Sequence, residues 1–446
     1  GKSLRLRLPG EAGERPWRYA SRAECSLCHN FQGAGAVLGA GTLQLNREVE
    51  RGGRRENQLR SLERLGLFLR PLSAAPEALP RLVDPHDASG DLARRARSYL
   101  HANCTHCHDE NRGGLSPLRL KFSSSEEAMA ALGAPPLQGG FGLEDARLIA
   151  PGDPSRSVLY YRLAKMGSGH MPRVGPKLVD PRGLALVREW IEGLPGERGA
   201  VAVEGDAVRS WARAIEAAGS PPEARAQAIG ALLDTTRGAL ELAHRLGSGG
   251  VSEECRSQAL STARAHPRFE VRDLFLRFLL REGEVPEARE ADPGEILALR
   301  GDAARGREIF FRDGAPGCKG CHAAGGRGAA VGPDLSHIGK KYPRTTLLAQ
   351  LVDPSREVSP EYAAYLLLTT EGEVLSGLLS ERSESEVALK DMQGRVRRVP
   401  ARRVKSLDRQ PLSLMPDALL RELTAQEAAD LLEYLVTRRA GTPAAR

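Results

Sequence analysis

The chain has 446 residues, of which 41% are hydrophobic and 4% aromatic, and its formal net charge is +7. That length predicts three domains, or four, with enough apolar residues for packed cores. No apolar run approaches the roughly 18 residues that span a bilayer, and the basic residues are not interleaved with aromatic ones, so the composition favours neither a membrane span nor a nucleic-acid partner.

Residues 1–85 form the first predicted segment. Because the chain starts at Gly1 and shows no signal peptide, we expect it to be processed or cut from a longer protein, with residues 1–16 as the tail of something upstream. The segment contains a Cys-x-x-Cys-His string: Cys25, Cys28 and His29. Leucines at helical spacing predict an amphipathic helix ahead of a proline-rich linker: Leu59, Leu62, Leu65 and Leu69.

Residues 86–198 form the second segment and carry the same string: Cys104, Cys107 and His108. A helix through Leu92 and Leu100 leads into the string, and loops rich in glycine and proline follow it. Apolar residues at helical spacing predict a closing helix over 181–194. The segment therefore reads as helix, string, loops and helix.

Residues 199–291 contain no such string and are rich in alanine, leucine and arginine. Their periodicity predicts four helical runs: Ala207–Ala218, Pro222–Leu233, Ser252–His266 and Glu270–Arg281. No repeat length is clear, so we interpret this segment as a helical spacer or docking domain.

Residues 292–446 form the last segment and carry the third string: Cys318, Cys321 and His322. Alternating apolar residues separated by glycine turns predict four strands: Ala363–Thr370, Val374–Ser380, Glu386–Lys390 and Arg395–Val399. We therefore expect a small β-meander, residues 362–407, inserted in a helical domain. A capping box, Thr424-x-x-Glu427, predicts the start of the final helix.

Cys-x-x-Cys-His is the attachment motif of c-type haem. Two thiols add to the haem vinyl groups, and the adjacent histidine becomes the proximal iron ligand. A redox Cys-x-x-Cys needs no histidine after it, and a zinc site pairs two Cys-x-x-Cys knuckles at closer spacing. Three complete strings therefore predict three covalently bound haem c groups in the periplasm or outside the cell. The seventh cysteine, Cys255, is expected to be a buried small hydrophobe.

The second axial ligand of a six-coordinate haem c is usually methionine or histidine. Met171 and Met415 each precede a proline, lie downstream of the second and third strings, and come before a closing helix. We expect them to be the distal ligands of those two haems. Pro333, in Gly-Pro-Asp-Leu after the third string, is expected to accept a hydrogen bond from the proximal His322 and so orient its ring.

The distal ligand of the first haem is left open by the sequence. No methionine follows His29 before Met129. The neighbouring segment offers four candidates, each weighed against a plain core or surface role: Met166, His86, His101 and His106. The first iron could also be five-coordinate.

Residues 302–436 resemble a haem-binding, cytochrome c-like domain family first described from the planctomycete–verrucomicrobium group. The resemblance rests on Gly-Asp-x-x-Arg-Gly at 301–306, Cys-x-x-Cys-His, Val-Gly-Pro-Asp-Leu at 331–335, Asp-Pro-Ser-Arg at 353–356, Ser-Leu-Met-Pro at 413–416 and the helix at 429–435. It implies a cytochrome c fold with Met415 as distal ligand.

Residues 17–194 are similar to a dihaem c-type cytochrome family whose members are often linked to quinoprotein sugar dehydrogenases. The similarity rests on Trp-Arg-Tyr at 17–19, the first two Cys-x-x-Cys-His strings, Gln-Leu-Asn-Arg at 44–47, His-Met-Pro at 170–172 and Val-Arg-Glu-Trp-Ile at 187–191. Such a link would explain the abrupt start at Gly1, although this sequence contains no dehydrogenase domain.

The predicted fold is therefore mainly α, with three cytochrome c-like haem domains, a helical spacer and a β-meander in the last domain. The expected function is electron transfer between a dehydrogenase or respiratory donor and a cytochrome or terminal acceptor, alone or within a larger complex, with no enzymatic activity of its own. The alternative is a peroxidase-like enzyme or a ligand sensor that uses an open first haem.

Overall fold

The structure is a computed structural model, and it describes residues 2–7, 14–19, 39–109, 118–136, 140–167, 169–172, 178–196, 208, 210–213, 215, 221–266, 268–279, 292–312, 317–371, 374–391, 394–410, 413–415 and 419–438. The first Cys-x-x-Cys-His string lies outside these ranges. Across these ranges, no helix combines the length and the apolar character needed to cross a bilayer.

Small hairpins and short helices make up the described part of the first segment. They are β1 (Lys2–Arg7), β2 (Glu14–Tyr19), α1 (Thr42–Leu45), β3 (Glu48–Arg51), β4 (Arg54–Asn57) and α2 (Gln58–Arg64). β1 pairs with β2, and β3 with β4, both antiparallel. Part of the expected N-terminal tail is therefore regular structure.

The amphipathic helix predicted through Leu69 is shorter than expected. Asn57 caps α2 by accepting a hydrogen bond from Leu59 N at 2.9 Å. The helix ends at Arg64, and Gly66 follows with a φ of +67°, a left-handed conformation typical of a helix end. Leu69 is consequently exposed, and the prediction was wrong for the leucines beyond Arg64.

Three helices frame the second segment: α3 (Leu92–Cys104), α4 (Val158–Ala164) and α5 (Pro181–Gly193). Asp91 caps α3 by accepting from Arg94 N, and Asp180 caps α5 by accepting from Gly183 N. The closing helix predicted over 181–194 is present as α5. The second Cys-x-x-Cys-His string begins at the last residue of α3.

Five helices make up the described part of 221–279, called here the helical segment: α6 (Pro222–Leu233), α7 (Thr236–Ser248), α8 (Glu253–Arg264), α9 (Phe269–Arg272) and α10 (Leu276–Leu279). The sequence did not predict α7. Its buried face includes Arg237, Gly238 and Glu241. Because two of these residues are charged and one is glycine, the sequence lacks the regular spacing of apolar residues that predicts a helix.

The helical segment shares its core with the second segment. Buried apolar residues from Ala96 to Ile191 and from Ile215 to Phe275 belong to one cluster, which includes the free thiol of Cys255. Two ion pairs with little exposure also join the segments, Arg188 with Glu241 at 3.0 Å and Arg237 with Asp153 at 2.7 Å. Buried residues on both sides of the predicted boundary near residue 198 therefore lie in one hydrophobic cluster.

The last segment has a helical core of its own. Its helices are α11 (Pro293–Ala298), α12 (Ala303–Phe311), α13 (Ile338–Lys341), α14 (Arg344–Val352) and α15 (Ala425–Thr437). The predicted capping box at Thr424 and Glu427 is confirmed at the start of α15. A two-residue hairpin, β5 (Ala323–Ala324) with β6 (Arg327–Gly328), follows the third string.

The predicted meander is a five-stranded antiparallel sheet with the order β10-β9-β8-β7-β11. Its strands are β7 (Ala364–Thr369), β8 (Val374–Arg382), β9 (Glu386–Lys390), β10 (Val396–Pro400) and β11 (Val404–Arg409). The sequence did not predict β11, because most of its side chains are polar. β11 pairs with β7, and Gln410 N donates to Ala364 O at 2.8 Å. The insertion therefore leaves the helical domain and returns to it at one place.

In the second and last segments, the helix that precedes the Cys-x-x-Cys-His string and the closing helix cross at a glycine beside a tyrosine. A Cβ on Gly306 of α12 would lie 1.9 Å from Asp430 O of α15 and 2.8 Å from Tyr434 Cβ. In the second segment, a Cβ on Gly183 of α5 would lie 2.2 Å from the Tyr99 ring of α3. Only glycine permits helices to approach this closely, so the two segments are built on the same type of crossing.

Gly306→Ala is expected to lower the free energy of unfolding by about 3 kcal/mol, because the added methyl group meets backbone rather than a side chain that can move aside. Denaturant unfolding followed by circular dichroism measures the effect. Gly230→Ala is the matched control, since nothing lies within 4 Å of its Cβ position in α6, and it should stabilise the protein by about 0.5–1 kcal/mol. Equal effects of the two substitutions would contradict the crossing.

Candidate haem sites

The third Cys-x-x-Cys-His string forms a tight turn that follows α12 in the chain. Cys318–Gly320 is one turn of 3-10 helix, and Gly317 before it has a φ of +73°. The backbone N–H of His322 donates to Cys318 O at 2.9 Å. This turn places both thiols and the imidazole on one short, ordered stretch of chain, as attachment of a single haem requires.

The ring of His322 is oriented by the loop that follows the string. Its Nδ1–H donates to Pro333 O at 2.8 Å, which is the contact that the sequence predicts for Pro333. A Cβ on Gly332 would lie 2.6 Å from His322 Cε1, so glycine is required beside the ring. With the proton on Nδ1, the lone pair of Nε2 is available to an iron. Burial lowers the pKa of His322 while the Pro333 contact opposes that shift, and a lowered pKa favours the neutral imidazole that a metal needs.

Neither pair of cysteines in the two described strings forms a disulfide. Burial raises the pKa of the Cys318 thiol to about 12, so the unmodified thiol is protonated near neutral pH. Among the residues that the structure describes, no group of three or more His, Cys, Asp or Glu side chains is arranged to hold a metal ion. The donor set fits two thioether bonds and one axial histidine better than the alternative metal or redox sites.

Met415 lies in the same domain as His322 and packs against the same core as Cys318. Met415 N donates to Ser413 Oγ at 3.1 Å, and Ser413 N donates to Ser355 Oγ at 3.0 Å. Ser355 belongs to the Asp-Pro-Ser-Arg stretch at 353–356. That stretch therefore fixes the loop that carries the methionine, which is half-buried.

The second string repeats the turn of the third. His108 N donates to Cys104 O at 2.7 Å, and Cys107 N to the same oxygen at 3.0 Å. Burial again raises the pKa of the first thiol, Cys104, to about 12. The two strings thus share two backbone hydrogen bonds to the first cysteine, although Cys104 ends an α-helix and Cys318 starts a 3-10 turn.

His108 is half-buried, and its buried Nδ1 atom has no hydrogen-bond partner among the residues that the structure describes. Its counterpart in the third string donates to the carbonyl of Pro333. Pro117, which follows the second string as Pro333 follows the third, lies outside the described residues. Burial, and then the charges of Arg162 and His106, lower the pKa of His108 to about 4, so its imidazole is neutral near pH 7.

Met171 and His108 are both associated with Arg162 of α4. Met171 N donates to Arg162 O at 3.0 Å, and the positive charge of Arg162 lowers the pKa of His108. The adjacent His170 donates from Nδ1 to Lys165 O at 2.7 Å. The predicted distal methionine is therefore hydrogen-bonded to α4, and the predicted proximal histidine lies within electrostatic range of a side chain of the same helix.

The candidates for the first haem differ in their surroundings. Cys25, Cys28 and His29 lie outside the described residues. His101 Nδ1 accepts from Phe122 N at 3.2 Å, which places the ring proton on Nε2 and argues against ligation through that atom. Met166 is 1% exposed inside the fold, whereas His86 is exposed and His106 is half-buried.

The sequence did not predict two contacts that position the site residues. The close approach of Gly332 to His322 had a signal in the Gly-Pro-Asp-Leu string, because the glycine directly precedes the proline whose carbonyl orients the ring. The hydrogen bond from Ser413 to Ser355 had a weaker sequence signal, which is the recurrence of the Asp-Pro-Ser-Arg stretch at 153–156 in the second segment. In that second copy, Ser155 and Asp153 instead accept hydrogen bonds from Arg237 of α7.

One comparison with known proteins identifies a family. The model of the cytochrome c family matches residues 303–363, which include α12, the third Cys-x-x-Cys-His string and Pro333. A search of curated proteins finds no match to the chain. The matched region ends before Met415 and does not include the first two strings. Residues 303–363 thus belong to a cytochrome c domain, which binds haem c covalently and supports haem-based electron transfer.

Proposed function

We propose that the chain is a trihaem c-type cytochrome that passes electrons from a dehydrogenase or respiratory donor to a cytochrome or terminal acceptor, alone or as a subunit of a larger complex. The observation that carries the proposal is the recurrence, in the second segment, of the turn found in the matched domain. In both, the backbone N–H of the histidine donates to the carbonyl of the first cysteine, at 2.7 Å for His108 and 2.9 Å for His322. The helix crossings at Gly183 and Gly306 support the same relationship.

Haem c, when bound, supplies a one-electron Fe(III)/Fe(II) couple. In the last domain, Cys318 and Cys321 would hold it by thioether bonds, and His322 would be the proximal ligand with its ring fixed by Pro333. Met415 would supply a thioether on the distal side, where sulfur favours the reduced iron. Cys104, Cys107, His108 and Met171 have the same roles in the second segment, and Cys25, Cys28 and His29 in the first.

The haem chemistry and the net charge also indicate the cellular compartment and the type of redox partner. Covalent haem attachment takes place outside the cytoplasm, so we place the protein in the periplasm or outside the cell. The net charge of +7 favours encounter with an acidic redox partner. Electron transfer requires haem spacing, axial ligation and burial but no substrate site, so we assign no catalytic residue.

The second candidate function is that of a peroxidase-like enzyme or a ligand sensor that uses the first haem. Met129, the first methionine after His29, is 1% exposed and packs in the core of the second segment. The hydrogen bond from Phe122 N to His101 disfavours another of the candidate ligands. Both observations favour a first iron with an open or weakly bound distal position.

Carbon monoxide binding to the reduced protein, with the covalent haem content measured in parallel, tests the proposal. We expect three haems per chain, with the second and third closed to carbon monoxide by Met171 and Met415. Fewer than three haems would overturn the trihaem assignment. Carbon monoxide at a single haem would favour the enzyme or sensor function of the first site, and binding at more than one haem would remove Met171 or Met415 as a ligand.

A further inference from the structure

A buried ion pair joins the helical segment to the loop that leads to Met171. Lys165, the residue after α4, is 0% exposed, and Asp273, between α9 and α10, is 7% exposed. Lys165 Nζ lies 3.0 Å from Asp273 Oδ2. The lysine belongs to the second segment and the aspartate to the helical segment, so the pair connects two parts of the chain through charges that are withdrawn from water.

Asp273 contacts three consecutive residues at the start of that loop. Besides its ion pair with Lys165, its backbone oxygen accepts a hydrogen bond from Met166 N at 2.9 Å. Gly167 has a φ of +71°, and a Cβ on it would lie 3.0 Å from Asp273 Oδ2. The carboxylate therefore lies directly against the loop backbone, where both the φ value and the close approach require glycine.

The contacts continue from these residues to the predicted ligand. Lys165 O accepts the Nδ1–H of His170 at 2.7 Å, and Met171 N donates to Arg162 O at 3.0 Å. Asp273 thus holds the first residues of the loop. The last residues are held by hydrogen bonds from His170 to Lys165 and from Met171 to Arg162 of α4. A displacement of Lys165 would be transmitted to His170 and from there to Met171.

The energetics of the pair favour a role in positioning over a role in stability. Burial raises the pKa of Asp273, and the positive charge of Lys165 opposes that shift. Buried pairs of this kind are often replaceable by apolar residues without loss of stability. What the pair does provide is a fixed distance between the helical segment and the loop.

Asp273 also lies near the last domain. Arg312, at the end of α12, lowers the pKa of Asp273, and it also lowers the pKa of Cys318, the first cysteine of the third string. Arg312 itself pairs with Glu427 at 2.8 Å. The residue that braces the loop of Met171 is therefore within electrostatic range of the chain that leads into the third haem site.

We propose that Asp273 is a positioning residue for the second haem: through Lys165, Met166 and Gly167 it holds the loop that presents Met171 to the iron. The inference rests on the proposed function, in which Met171 is the distal ligand. It gives the helical segment a defined task, which is to brace the distal side of a haem in the neighbouring domain.

Asp273→Asn in the full-length holoprotein tests this role, because it removes the charge while preserving the shape and the backbone contact to Met166. We expect the reduced variant to bind carbon monoxide at one haem that is closed in the parent protein. We also expect the ferric variant to lose part of the near-infrared absorption of methionine-ligated haem. Lys165→Met breaks the pair from the other side and should produce the same two changes.

Met171→Leu identifies the haem concerned and separates the two hypotheses. If Met171→Leu opens no haem to carbon monoxide, Met171 is not a ligand, and the proposed coordination fails whatever Asp273 does. If it opens a haem and Asp273→Asn does not, the positioning role fails while the coordination stands. The double variant should open no more haem than Met171→Leu alone, because both substitutions act on one iron.

Glu241→Gln is the matched control. Glu241 forms an ion pair with Arg188, at 3.0 Å, across the same two segments, but neither residue contacts the loop at 165–171 through the hydrogen bonds described above. We expect a loss of stability without carbon monoxide binding at the second haem. If Asp273→Asn does not fold, Lys165→Met/Asp273→Asn, which leaves no buried charge unpaired, takes its place and should show the same opening. An unchanged second haem in that folded variant would overturn the proposal.

Discussion

Replacing Cys318 and Cys321 together with alanine is expected to leave the chain with one covalent haem fewer. The two thiols lie on one turn with His322, and no other cysteine among the described residues of the last domain can substitute for them. Without thioether bonds, a haem held only by axial ligands is lost when the protein is denatured. The mass of the intact denatured chain should fall by one haem, beyond the change in the side chains.

The control for this experiment is Cys255→Ala. Cys255 is as fully buried as a core residue can be, at 0% exposure, and it has no histidine beside it. We expect its removal to cost some packing energy and no haem. An unchanged haem mass after the paired substitution at Cys318 and Cys321 would refute attachment at that string.

The same paired substitution, applied to each string in turn, counts the haems. Cys104 with Cys107 should account for one, because their turn matches that of the third string. Cys25 with Cys28 should account for another, and this measurement is the decisive one for the first site, whose residues lie outside the part of the chain that the structure describes. Together, the three variants separate a trihaem from a dihaem or monohaem protein.

The local chemistry of the sites could be predicted from the sequence. The contact between His322 and Pro333 spans 11 residues, and the capping box at Thr424 spans three. Features of this kind depend on residue types at fixed short spacing, so they can be recognised from one short segment of the sequence. The strands β7 to β10 were predictable for the same reason, since alternation and glycine turns are local signals.

Contacts between distant segments could not be predicted. Lys165 and Asp273 are 108 residues apart, and neither residue type signals burial, because lysine and aspartate are usually exposed. Their pairing exists only because α4 and the turn after α9 meet in three dimensions. Helix α7 was missed for a related reason: Arg237 and Glu241 look like surface residues in the sequence but lie in the interface with the second segment.

The spacing of apolar residues also does not predict which segments share a hydrophobic core. Periodic leucines and alanines predict that a face is buried, but not which segment covers it. Residues 199–291 contain no haem motif, and their sequence predicts only a helical spacer or docking domain. In the structure their buried residues join those of the second segment in one cluster. This shared core is what brings Asp273 to the loop at 165–171, and so it bears directly on the second haem site.

Met415→Leu is expected to lower the reduction potential of the third haem by on the order of a few tenths of a volt, since axial ligands tune haem potentials over roughly 0.8 V. Leucine preserves the volume of the side chain but removes the sulfur that stabilises reduced iron. The loop itself should remain in place, because Ser355 and Ser413 hold it through backbone N–H groups. Spectroelectrochemical titration measures the potential, and carbon monoxide should gain access to this haem.

Met129→Leu makes the same chemical change at a methionine that is 1% exposed in the core of the second segment. It should leave every potential unchanged, because its effect is confined to packing. If Met415→Leu likewise left the potential and the carbon monoxide access of the third haem unaltered, Met415 would not be the distal ligand. The distal ligand would then have to come from a part of the domain that neither the Ser-Leu-Met-Pro string nor the resemblance indicates. A drop in potential without access for carbon monoxide would instead mean that another side chain replaces the sulfur on the iron, since a haem that stays closed must have retained six ligands.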